Sequence, residues 1–132
     1  MIYLQNNRGV AAVELAICLP ILTLLVFGSI EFGLLFYNQQ VITNASREGV
    51  RAGIVTGTTT DDIIDIVKNY CNGKLINLNG DNELLTDEVT VSGPDGNNDL
   101  TVRVDYDYDF LLASILGFTD KTLSAQTIMR ME

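Results

Sequence analysis

Glu14 is the one charged side chain between residues 10 and 30, a stretch that is otherwise apolar or neutral. A carboxylate at membrane depth is expensive unless it is paired, so an ionised residue there is a functional candidate by default. The chemistry open to it is charge pairing. If the chain is cut between Gly9 and Val10, the new amine of Val10 lies four residues before Glu14. On a helix that is one turn away on the same face. The carboxylate would then answer its own terminus or that of a neighbouring subunit. The plainer reading puts it at the headgroup boundary, and residue types alone leave both open.

Other reactive groups point to less. The chain has no histidine, which removes the commonest general base and metal ligand. It has no nucleophile elbow and no phosphate loop. Carboxylates are plentiful, yet no two stand out as acid and base. The expectation is a protein that is not an enzyme, with no cofactor and no small-molecule substrate. Asp95, Asn97 and Asp99 alternate as in a calcium loop, but Leu100 stands where glycine is needed and no glutamate closes the loop. Asp105, Asp107 and Asp109 share one strand face. Such a ladder is read first as a solvated face, and second as a site for calcium or a basic partner. Cys18 lies in the apolar run and Cys71 in the polar part, so both read as small apolar fillers rather than a bridge.

The element that must carry Glu14 is the run over residues 10–30. Its 21 residues span ~31 Å as a helix, against ~30 Å for a bilayer core. Pro20 lies inside it. An interior proline costs ~3 kcal/mol in a soluble helix but is tolerated in lipid or in a bundle when neighbours satisfy the freed carbonyl. Arg8 precedes the run and Glu31 follows it, which keeps the N-terminus cytoplasmic and exports the rest. An acidic residue near its start and the lack of a prompt small-x-small site argue for a retained helix over a cleaved secretory signal. From residue 38 onward there are seven basic and fifteen acidic residues, a net charge of −8. A surface so acidic repels phosphate backbones and excludes nucleic acid as a direct partner.

Beyond the run, the helix is expected to continue to about residue 55. Gly49 and Gly53 are weak points of ~1 kcal/mol each relative to alanine. They either let another element approach closely or mark where the helix frays. Residues 55–60 break it. A second helix follows, capped by Thr60 or Asp61, with Ile63, Ile66, Val67 and Tyr70 on its apolar face and Gly73 at its end. Residues 88–92 alternate as a strand, 93–98 turn, and 100–110 alternate strictly, with residues 122–131 supplying a third strand. The fold class is therefore α+β: a long N-terminal transmembrane helix running into a small domain with a second helix and a three-stranded antiparallel sheet. The outer edge of the 100–110 segment, or of the closing segment, is expected to be open to strand pairing with a second chain.

Several motifs line up along this helix: Arg8-Gly9, Val13-Glu14, Pro20, Glu31-Phe32-Gly33 and Ala45-Ser46-Arg47-Glu48-Gly49-Val50-Arg51-Ala52-Gly53. The first resembles a type IV prepilin processing site, where glycine precedes the cut and glutamate is the fifth mature residue. The whole set resembles the TadE-like proteins, minor pilins or pseudopilins of tight-adherence (Flp-type) pilus systems, with an ExG turn near the helix end and an REG-x-R motif after it. Leu15 stands where major Flp-type pilins carry an aromatic, which favours the TadE-like group. The resemblance implies a leader over residues 1–9, cut by a prepilin peptidase between Gly9 and Val10. It implies a membrane-spanning and extended helix over 10–55 and an acidic exported domain over 60–132. Glu14 would serve subunit assembly, and Pro20, Glu31, Gly33, Arg47, Glu48, Gly49 and Arg51 would form the helix motif. Partners would be other pilin-like subunits, a TadF-like minor pilin among them. The setting would be the bacterial inner membrane, with the domain periplasmic, or the pilus itself. The alternative is a membrane-tethered binding or sensing domain unrelated to pili.

Overall fold

The computed structural model describes residues 8–55, 57–112, 117 and 121–131. Residues 1–7, where the leader is expected, and the side chain of Arg8 lie outside the described residues. Helix α1, Arg8–Gly53, runs unbroken for 46 residues, a length of ~69 Å. Pro20 lies within it without ending it. Two hydroxyls in its apolar part bond back to the preceding turn, Thr23 to the Leu19 carbonyl at 2.8 Å and Ser29 to that of Leu25 at 2.7 Å. Among the polar side chains of that part, these two hydroxyls are satisfied within the helix and Glu14 is not. The turn expected at Glu31-Phe32-Gly33 does not form, because α1 passes straight through these residues. One glycine costs a helix only ~1 kcal/mol, and the ladder on either side outweighs it.

Helix α2, Thr60–Cys71, starts one residue earlier than the expected caps, with Thr59 as its N-cap. Thr59 is extended, its hydroxyl accepts from the Asp62 amide at 3.2 Å, and the Asp62 carboxylate accepts from the Thr59 amide at 2.9 Å. This reciprocal box satisfies two orphan donors. The bonds from Thr59 also hold the Asp62 carboxyl below the usual carboxylate range. Ile63, Val67 and Cys71 form the buried stripe, while Ile66 and Tyr70 are half-buried. Gly73 follows the helix end with φ +69°, a left-handed residue of the kind that closes helices.

Three antiparallel strands follow: β1 Val89–Ser92, β2 Asp99–Tyr108 and β3 Lys121–Arg130, in the order β1-β2-β3. Val91 faces Val102 across one ladder and Val104 faces Ala125 across the other. Leu100, Val102, Val104, Tyr106 and Tyr108 alternate inward and are buried. The expectation of an open edge on the 100–110 segment is corrected here: β2 is the central strand and is paired on both sides. The sheet edges belong to β1 and β3, and β3 is tied to α1 by Gln39, which donates to the Ser124 carbonyl at 2.9 Å. The two helices cover the inner face of the sheet, α1 over β2 and β3 and α2 over β1. The core forms between these layers, with α1 contributing Ile42, Ala45 and Val50. The molecule is α+β, as its pattern of elements predicts.

Candidate functional site

The site is α1 itself, and its side chains divide sharply at Glu31. Before that point every described side chain is exposed apart from half-buried Gly28. After it, Glu31, Asn38, Val41, Ile42, Ala45, Ser46, Gly49, Val50 and Gly53 recur every three or four residues and are buried. That spacing is one face of a 3.6-residue helix. The bare part is long and apolar enough to cross a membrane, the only such helix among the described residues.

Gly9 and Val10 lie in the first turn of α1, both exposed. Glu14 is exposed one turn further on, and nothing in the domain touches it. Pro20 is exposed, and Gly33 has open space around it. Neither Gly9 nor Gly28 would bring a Cβ within 4 Å of another residue.

The other motif residues divide between two tasks. Arg47, Glu48 and Arg51 are exposed on the side of α1 away from the domain. Gly49 is buried on the opposite side, where an added Cβ would lie 2.5 Å from Val67 Cγ2 and 3.4 Å from Val102 Cγ1. Gly53 repeats this one turn on, with Ile63 Cδ1 at 2.7 Å and Leu100 closer still. Of the two readings of these glycines, close approach holds: α2 and the sheet press against bare backbone, and the helix does not fray there.

Glu31 is buried, and its carboxylate accepts the amide of Leu111 and that of Leu112, the latter at 3.2 and 3.3 Å to its two oxygens. It thereby caps the chain as it leaves β2. Since Leu100 meets Gly53 at one end and Leu111 meets Glu31 at the other, β2 runs antiparallel to α1 along its whole clothed length. Tyr108, near Glu31, is raised above the usual phenol range, first by burial and then by the Glu31 charge.

Three polar residues of α1 carry roles that sequence reasoning missed. Asn38 is fully buried and clamps one backbone unit: its Nδ2 donates to the Ile76 carbonyl at 2.6 Å and its Oδ1 accepts the Ile76 amide at 3.0 Å. Gln39 reaches Ser124, as noted. Ser46 shares a hydroxyl–hydroxyl bond of 2.7 Å with Thr127. For Asn38 and Ser46 the available signal was spacing, since 31, 38, 42, 45, 46, 49 and 53 fall on one helical stripe; Gln39 lies beside that stripe and had no such signal.

The acidic residues are mostly engaged within the domain. Asp95 Oδ1 accepts the amides of Asn97 and Asp99 at 2.8 and 2.9 Å, which folds the turn rather than opening it to an ion. Asp105 accepts a forked bond from Arg103, 2.8 Å at the shortest, and one from Ser124. The Arg103 bonds hold its carboxyl below the usual range. Asp107 accepts from Thr122 at 2.7 Å. Among the described residues no group of three ligating side chains converges on a point. Cys18 and Cys71 are both free.

Fold and site together define a class: a single-pass membrane protein whose one long helix is bare at its foot and carries its own α+β domain higher up. The family model for TadE-like protein matches residues 9–51, a likeness that spans both parts of α1. The match ends before α2 begins. No curated protein and no solved structure matches the chain.

Proposed function

We propose that this chain is a minor pilin or pseudopilin that takes part in assembly of a Tad (Flp-type) pilus, and that it works by helix packing and subunit contacts rather than by catalysis. The observation that carries the proposal is the bare part of α1. It projects from the domain with Glu14 exposed, one turn from Val10, inside a stretch that is TadE-like. A prepilin peptidase cuts between Gly9 and Val10, and the amine released meets a carboxylate on its own subunit or on a neighbour. The foot of α1 lies in the inner membrane with its N-terminus cytoplasmic and the domain periplasmic. Exposed Arg47, Glu48 and Arg51 provide charged contacts for a pilin-like partner such as a TadF-like subunit.

Mass spectrometry of the N-terminus, with and without the peptidase, tests this reading. The chain is expected to lose residues 1–9 only when the peptidase is present. Gly9→Val should leave uncut precursor in the membrane. Glu14→Ala should insert and be cut, yet fail to support pili, since removing the carboxylate relieves its burial but leaves the amine unpaired. Normal maturation of Gly9→Val, or normal pilus output from Glu14→Ala, contradicts the proposal.

A further inference from the structure

The residues just above the apolar span form a ring. Residues 10–30 fill ~31 Å of bilayer as a helix, so the turns that follow sit at its boundary. There Phe32 is 60% exposed, Phe36 67% and Tyr37 44%. At about 100° per residue, Phe32 and Phe36 lie on one flank of α1 relative to Glu31, and Tyr37 lies on the other. The Glu31 side is filled by the domain. Its carboxylate holds the amides of Leu111 and Leu112, so the end of β2 returns to the same level. Leu111 and Leu112 are half-buried. Phe110 before them packs edge-on against Tyr108, ring centres 5.2 Å apart.

We infer that Phe32, Phe36, Tyr37, Phe110, Leu111 and Leu112 form an apolar collar around α1 that beds in lipid at the boundary between acyl chains and headgroups. The inference rests on α1 as a membrane span and not on a role in pili. The collar is continuous with the span, and the amphipathic ring of Tyr37 favours the headgroup level, with the phenylalanines just below it extending the apolar surface of the span. Phe32, Phe36 and Tyr37 are exposed on the two flanks of the helix, and half-buried Phe110, Leu111 and Leu112 complete the ring on the side where the domain meets it. A docked protein covers one side of such a ring, whereas lipid covers all of it. The net charge of −8 on residues 38–132 gives no attraction to anionic headgroups, so the collar is held by apolar burial. Glu31 has a defined task in this arrangement: it keeps the domain's return loop at the membrane surface while presenting no free charge to lipid.

The chain contains no tryptophan, which permits single reporters. The full-length protein, one copy per phosphatidylcholine nanodisc, would carry Phe36→Trp, Leu111→Trp, Leu112→Trp, Phe27→Trp or Val55→Trp, each checked for fold by circular dichroism. Lipids brominated high on the acyl chain should quench the fluorescence of the 36 and 112 reporters at least twofold. Lipids brominated at the chain end should quench the 27 reporter most. The 55 reporter, beyond the end of α1, should be unaffected. Adding Glu31→Ala to Leu112→Trp should relieve its quenching, while quenching at 36 persists. Folded Leu111→Trp and Leu112→Trp proteins that are both unquenched, beside a quenched Phe27→Trp, would overturn the collar. No peptidase or pilus component takes part, so this result is separable from the fate of the pilin reading.

Discussion

The two parts of α1 belong to one continuous helix and have opposite surfaces. Over residues 9–30 its described side chains are bare, save half-buried Gly28, and the domain makes no use of them. From Glu31 to Gly53 one face is fitted to the domain through two glycines, a buried amide and a buried carboxylate. The domain's fold asks nothing of the lower part beyond hydrophobicity, so apart from Gly9 and Glu14, which the proposed function uses, many apolar sequences would serve. The upper part is specified by shape and by polar pairing, where few substitutions are silent. Glycine shows the contrast most directly: Gly28 in the lower part has open space around it, whereas Gly49 and Gly53 in the upper part would each meet a neighbour within 3 Å of an added Cβ.

The largest expected effect is at Gly53. Gly53→Val drives a branched side chain into Leu100 and Ile63, and overpacking of this kind costs ~3 kcal/mol. Urea unfolding followed by circular dichroism in detergent should show it. Gly28→Ala in the same assay should be neutral or slightly stabilising, because nothing lies within 4 Å. Equal losses at both sites would erase the contrast between the two parts.

Asn38→Ala comes next. It strands the Ile76 amide and carbonyl, both part-buried against α1, at a cost of ~2 kcal/mol for groups left without their partner. Glu31→Ala should follow closely, at ~1–2 kcal/mol by the same reasoning. Its signature is local: the Leu111 and Leu112 amides should exchange with deuterium faster while the β2 amides stay protected. Uniformly faster exchange would mean that Glu31 supports the whole domain rather than one turn.

A pH series sharpens the comparison, because the buried acids outside the membrane belong to the clothed part. Burial pushes the Cys71 thiol from 9.0 up to about 11 and the Tyr106 phenol from 10.0 up to about 12. Both groups are neutral when protonated, and their folded values lie above their unfolded ones. Their contribution is fully present below pH 9 and is lost as pH rises from 9 towards 12. Domain stability should therefore fall across that window, and Cys71→Ala should flatten its lower part. The smallest effect is expected at Arg47 and Arg51. Being exposed, each should change domain stability by less than about 0.5 kcal/mol on replacement by alanine, while weakening pilus output if the pilin reading holds.

Much of this arrangement can be read from residue pattern. The span, the alternation of residues 100–110 and the closing strand all follow from periodicity, because burial on one face imposes the period. The α2 cap was misplaced by one residue because Thr58, Thr59 and Thr60 precede Asp61 and Asp62. Two of those threonines, Thr58 and Thr59, have an aspartate three residues on, and only the extended backbone of Thr59 decides between them. The antiparallel pairing of residues 88–92 with 100–110 was legible from the turn between them, but the side on which the closing strand joins was not: alternation shows which face is buried, not which strand lies in the middle. The partners of Glu31 and Asn38 lie about 80 and 38 positions away, and no local pattern encodes such pairs. For Gly49 the motif marked the residue, but its reason, the Val67 side chain against its backbone, needs the packed helix pair.

The unbroken course of α1 has a geometric consequence. With no hinge between Arg8 and Gly53, the bearing of Glu14 around the helix axis and the bearing of the domain are locked in phase. Each residue of an α-helix advances that phase by about 100°. Inserting one alanine among residues 20–29 would therefore swing the domain by about 100° relative to Glu14 without disturbing a contact on either side. The rod works as a compass needle: whatever fixes its azimuth at the foot also sets the direction in which the domain faces, some tens of ångströms away.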